Sequence, residues 1–207
     1  MAVIYSKLAK RIAGAIALIA GATLLLRIVL KFEETGSVLG AVSYLSQFFT
    51  ILTNTLVFAM ALVVFFGVQV WPRLTQSLTI AIVGVGLVYH TALAHLLDLS
   101  GLALLADHGV HTIVPGITLV WWLFVAPKRQ FRPSDPIVWV IWPVAYCAYI
   151  LLRASSSGFY PYPFLNLPEL GVGGLVQSIV LLCVAFVVVG LVLSGLSRVI
   201  GKAVSVA

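Results

Sequence analysis

Gly174 to Leu196 reads GLVQSIVLLCVAFVVVGLVLSGL, 23 residues without one charged side chain. A helix of about 20 apolar residues crosses a hydrocarbon core, and this run has that length and character. The rest of the chain is of the same kind. Of 207 residues, 62% are hydrophobic and only 9% charged, and the mean hydropathy is +1.16. A soluble domain carries about 25% charged residues. So few charges cannot clothe a water-facing surface, so lipid must cover the chain. The net charge of +6 does not indicate a nucleic-acid partner. Such a partner needs a basic stripe on one face, and here the basic residues form small clusters between apolar runs.

Working outward from that run, six spans are expected, at about 12–30, 44–67, 77–97, 107–126, 136–152 and 174–196. The expected fold is an all-α membrane protein, one domain covering 1–207 and built as a bundle of six transmembrane helices. Lys7, Lys10 and Arg11 before an apolar run imitate a signal peptide. The run continues through Leu24, Leu25 and Leu26, however, which favours a retained first helix. Cys147 and Cys183 both lie inside apolar runs, where a disulfide is not expected.

Orientation follows the basic residues. Lys7, Lys10, Arg11, Arg73, Lys128, Arg129, Arg132, Arg198 and Lys202 fall on one side, against Lys31 and Arg153 on the other. The nine-to-two bias places both termini in the cytoplasm, in an integral multi-pass protein of the plasma membrane or, in a bacterium, the inner membrane. Glu33, Glu34, Asp98, Asp107 and Glu169 mark the outer side.

Polar residues inside the spans point toward function. Ser43, Ser46, Gln47, Thr50 and Asn54 repeat at steps of three and four, which on one continuous helix forms a polar face entered from outside. On that helix Thr50 lies about 10 Å along the axis from Ser43. Thr91, His95 and Asp98 share a face at the outer end of the third span, with His90 pointing elsewhere. Asp107, His108 and His111 open the fourth span. Arg27 and Arg153 sit at similar depth. Taken singly, such residues glue helices or face headgroups. Together they imply one outward-facing cavity, because intramembrane ionisable groups are costly and normally face a wet interior. A channel would need polar residues through the full thickness, and the other half is nearly all apolar.

Three chemistries fit such a cavity. A hydroxyl with a histidine base is one. Zinc held by His90, His95, His108 and His111, with Asp98 as a further ligand, is the second. Haem between two histidines is the third, although nothing else specifies a porphyrin site.

The segments Gln47–Asn54 (QFFTILTN), Asp107–Pro115 (DHGVHTIVP, with WWLF following at 121–124) and Arg153–Asn166 (RASSSGFYPYPFLN) resemble the androgen-induced-gene family of membrane proteins. Its bacterial branch is a group of predicted six-helix membrane proteins. Animal members are threonine hydrolases of fatty-acid esters of hydroxy fatty acids. The resemblance implies Thr50 as nucleophile and His111 as the second essential residue, with no cofactor and a lipid-ester substrate. The chain departs from the animal pattern at Asp107, where those members carry Asn, and from the bacterial one at Asn166, often acidic there.

The expected reading is a lipid-ester hydrolase. Thr50 attacks and His111 acts as base. Asn54 or His108 binds the oxyanion, and Asp107 or Asp98 orients a histidine. Arg27 or Arg153 holds a substrate carboxylate, and Gln47, His90 and His95 support the cavity. A zinc-dependent hydrolase and a non-catalytic lipid-binding protein are the alternatives.

Overall fold

The computed structural model describes residues 5–96 and 98–205, with side chains through 200. Among the described residues the structure is helical, without strands. Helix α1 is Lys7–Thr35, α2 Val38–Leu45, α3 Phe49–Phe65, α4 Pro72–Val88, α5 Gly101–His108, α6 Val114–Phe124, α7 Asp135–Ser157 and α8 Leu167–Ser205. A π turn, Tyr89–Leu93, and a 3-10 turn, Ala94–Leu96, extend α4. A second π turn, Gly109–Ile113, joins α5 to α6. Five helical units are long and apolar enough to cross a membrane, and the bent pair α2 and α3 makes a sixth if taken as one span. The architecture is thus a multi-helix, largely apolar bundle of the kind that makes a multi-pass membrane protein.

The burial pattern is that of a lipid-embedded bundle. Along α1 the buried residues are mainly small: Ala9, Ala13, Ala17 and Ala20, with Ile16. They let α3 approach closely, with Phe65 against Gly14 and Phe58 against Gly21. Small residues at helix contacts do this in membranes, where dispersion and not water exclusion drives association. Large apolar side chains such as Leu18, Leu25 and Val29 point outward.

One end of the bundle is basic. Lys10 lies beside Gly67, Arg198 over Phe131 and Lys128 over Trp122. Asp135, fully buried, ties this end together. It pairs with Arg129, lies 3.3 Å from Arg73 Nε, and accepts from the Arg132 backbone N–H at 2.8 Å. As the one acid among basic neighbours, Asp135 has no signal of this role in the sequence. The buried hydrogen bond from Gln76 Nε2 to Ser194 Oγ, 2.9 Å, likewise joins residues far apart in the chain. The Lys202 side chain lies outside the described residues.

Several boundaries differ from expectation. The helices are longer than the apolar runs inside them, because their polar first and last turns extend beyond the hydrophobic part. α1 begins at Lys7, capped by Ser6, and ends at Gly36 in the left-handed conformation. The fourth span is Gly101–Phe124, so Asp107 is not its opening residue but lies inside it. α8 carries a kink at Gly171 (φ 64°, ψ 173°).

The main correction concerns the second span, which is two helices bent by 101° at residues 46–48. Ser43 and Thr50 therefore do not share a helix face. The carbonyls at the break are occupied from α7. Tyr146 Oη donates to Gln47 O at 2.6 Å, Tyr149 Oη to Ser46 O at 3.3 Å, and Arg153 Nη2 to Ser43 O at 2.7 Å. Arg153 also reaches Ser43 Oγ and Ser46 Oγ.

Candidate functional site: a hydroxyl, an imidazole and a carboxylate

The break places Thr50 in the first turn of α3, opposite the second π turn. Thr50 and His111 are each 8% exposed and Asp107 is fully buried. His111 Nε2 stands 3.3 Å from Thr50 Oγ1. On the far side of the ring, Nδ1 lies 3.1 Å from the Asp107 backbone oxygen and 3.0 Å from Asp107 Oδ1. Both neighbours of Nδ1 are acceptors, so Nδ1 carries the proton and Nε2 presents its lone pair to the threonine hydroxyl. A hydroxyl facing the bare nitrogen of an oriented imidazole is the arrangement that activates a weak nucleophile.

The two π turns create this geometry. In the second, the Val114 N–H bonds five residues back to Gly109 O. The Val110 carbonyl instead accepts from Asn54 Nδ2 at 3.1 Å. In the first, the Ala94 N–H bonds back to Tyr89 O. The tyrosine ring then stacks on His111, with centroids 3.8 Å apart and planes 10° apart. Such π turns are frequent at functional sites because they re-aim side chains within a helix. Glycine makes the segment fit. A Cβ on Gly109 would stand 2.2 Å from Thr23 Cγ2, and one on Gly86 would stand 3.1 Å from His111 O.

Thr50 borders two hollows. The larger, about 380 Å³, is lined by Thr50, Asp107 and His111 at its floor and by Arg27, Lys31 and Glu34 among its polar groups. Leu30, Leu45, Phe48 and Ile51 are among its apolar walls. The smaller, about 40 Å³, is apolar and reaches inward past Phe49 and Gly84 to Phe186. Thr50, Tyr89, Leu93 and Tyr162 line both.

The other expected site residues divide between the cavity wall and positions outside it. Asn54 is buried, but its Nδ2 donates to Thr50 O and Val110 O, which uses both amide hydrogens in holding α3 to the π turn. It has no donor left for an oxyanion. His108 is exposed and is not part of the cavity wall. Arg153 belongs to the clamp on the α2–α3 break, whereas Arg27 lines the cavity. Gln47 is buried and donates to Tyr44 O at 3.3 Å. Thr91, His95 and Asp98 are all exposed, because the π and 3-10 turns shift the helical phase that was to align them. His90 Nε2 pairs with Thr112 Oγ1 at 3.0 Å.

Among the described residues no three His, Cys, Asp or Glu side chains converge as a metal site requires. The zinc set of His90, His95, His108 and His111 is therefore not assembled, and Cys147 and Cys183 are free thiols. Two site residues were missed in the sequence, Tyr89 and Tyr162. Tyr162 stands in the Tyr-Pro-Phe-Leu run that carried the resemblance, and Tyr89 precedes His90 with nothing to distinguish it from a packed aromatic.

No family model matches the chain, and no curated protein or solved structure matches it.

Proposed function

We propose that this chain is a six-span membrane hydrolase of lipid esters, with both termini cytoplasmic and Thr50 as nucleophile. The observation that carries the reading is the alignment of Thr50 Oγ1, the His111 ring and Asp107 at the floor of one cavity. Thr50 Oγ1 attacks the ester carbonyl carbon while His111 Nε2 takes its proton. The tetrahedral intermediate collapses with cleavage of the C–O bond, and His111 returns the proton to the departing alcohol. Water then attacks the acyl-threonine by the same route, releasing the acid and restoring the hydroxyl. Asp107 stabilises the imidazolium that forms in each half-reaction.

Fatty-acid esters of hydroxy fatty acids suit the cavity, and the resemblance to the androgen-induced-gene family points the same way. Such a substrate has a carboxylate, which Arg27 can hold at the polar wall, and apolar chains for the hollow beyond Thr50 or for the lipid. Asp107, in place of the animal Asn, adds a negative charge beside His111 Nδ1.

The test is hydrolysis of such an ester in detergent micelles. Thr50→Ala and His111→Ala should each lower kcat by about 10⁴- to 10⁶-fold, without additivity in the double variant. Both proteins should stay monodisperse, since each change removes a polar side chain from a cavity wall. Thr50→Ala turning over at the normal rate would refute the reading and leave a lipid-binding protein.

A further inference from the structure

The intermediate formed on Thr50 carries an oxyanion, and the groups expected to meet it, Asn54 and His108, are spent or remote. We propose that the Tyr162 phenol is the oxyanion donor, from the cavity wall that it shares with Thr50. This rests on the hydrolase reading above.

Tyr162 is 7% exposed although it belongs to the 158–166 connection. Three rings fix its plane. Phe48 meets it edge-on at 6.3 Å and 88°, Tyr146 edge-on at 6.2 Å and 65°, and Phe164 stacks on it at 5.1 Å and 10°. The Tyr162 ring packs on Phe48, two residues before Thr50. The residue lines both hollows that meet at Thr50. The oxyanion forms on the carbon that bonds Thr50 Oγ1, so a donor lining the same hollows as Thr50 borders the space where the charge develops.

The α2–α3 break supplies the second part. A helix start leaves its first N–H groups without intrahelical acceptors, and Phe48 at the cap has no side chain to satisfy them. The first intrahelical bond of α3 belongs to Leu52. The Phe49 and Thr50 N–H groups therefore stay open at the positive end of the helix dipole, at the residue that carries the nucleophile, where they favour negative charge. On a continuous helix through residue 47 those N–H groups would be bonded within the helix. Burial pushes the Tyr162 phenol above its ordinary range, so the group keeps its proton at neutral pH.

The test is Tyr162→Phe, which keeps the ring and its three contacts. kcat for the ester should fall by about 10²- to 10³-fold, the usual cost of one oxyanion donor, with KM within about twofold. A long-chain alkyl trifluoromethyl ketone adds to Thr50 as an oxyanion, and its affinity should fall by the same factor. The affinity of a long-chain ether, which forms no oxyanion, should not change. The ketone and ether comparison reads only folded protein, so a loss from misfolding does not imitate it. If Tyr162→Phe keeps kcat within about threefold while Thr50→Ala is inactive, the oxyanion role is wrong and the hydrolase reading stands. A change confined to KM, or equal losses for ketone and ether, also overturns it. Absence of Thr50-dependent hydrolysis in the unaltered protein removes both.

Discussion

Asp107→Asn tests how the His111 imidazole is held under the proposed hydrolase mechanism. In a serine-protease triad this change costs about 10⁴-fold, because the amide favours the wrong histidine tautomer. Here the loss should be smaller. The Nδ1 proton already has a backbone acceptor, Asp107 O, at 3.1 Å, which the substitution leaves in place. Tyr89, stacked at 3.8 Å, keeps the ring plane. What disappears is the negative charge 3.0 Å from Nδ1, which stabilises the imidazolium in the transition state. A hydrogen bond to a charged group contributes about 1.5–3 kcal/mol. At about 1.4 kcal/mol per tenfold in rate, kcat should fall about 10- to 150-fold with little change in KM. The assay is steady-state release of the hydroxy fatty acid, followed by mass spectrometry, with thermal unfolding as the control for structure. A loss near 10⁴-fold in a folded protein would refute the argument, because the backbone carbonyl then fails to hold the tautomer. A loss under about twofold would equally refute it, by uncoupling the carboxylate from catalysis. A moderate loss also fits the family that the chain resembles, whose animal members carry Asn at this position.

Two further outcomes are expected. Gly109→Ala puts a Cβ 2.2 Å from Thr23 Cγ2 and 2.7 Å from Thr23 Oγ1. It should destabilise the bundle by about 1–3 kcal/mol, read by thermal unfolding in detergent, and Thr23→Ala in the same chain should restore most of that. No restoration would mean the two residues are not in close contact. For topology, Cys147 and Cys183 are first replaced by alanine. A cysteine at Ser100, exposed at the site end, should then react with an impermeant maleimide on intact cells, and one at Gln130, exposed at the basic end, should not. The reverse pattern would place the cavity on the cytoplasmic face.

Much of this protein is written in local composition. A span in lipid must be apolar along its length and satisfy its own backbone hydrogen bonds, so each one is visible as a run such as Gly174–Leu196, with no knowledge of its neighbours. The basic end is legible for the same reason, as are Thr50, Asp107 and His111 as polar residues too costly to place there idly. Their joint geometry is not. The helix break at 46–48 comes from Tyr146, Tyr149 and Arg153, about a hundred residues away, taking the carbonyls that a continuous helix would use. The π turns that bring Tyr89 onto His111 change the helical phase, so a period of 3.6 misplaces Thr91, His95 and Asp98 and assigns no role to Tyr89. Arg27 and Arg153 look alike in the sequence, and only packing makes one a cavity wall and the other a clamp. Hydropathy acts residue by residue and survives in the sequence. Contacts between distant segments decide which polar groups meet, and they exist only once the helices have packed.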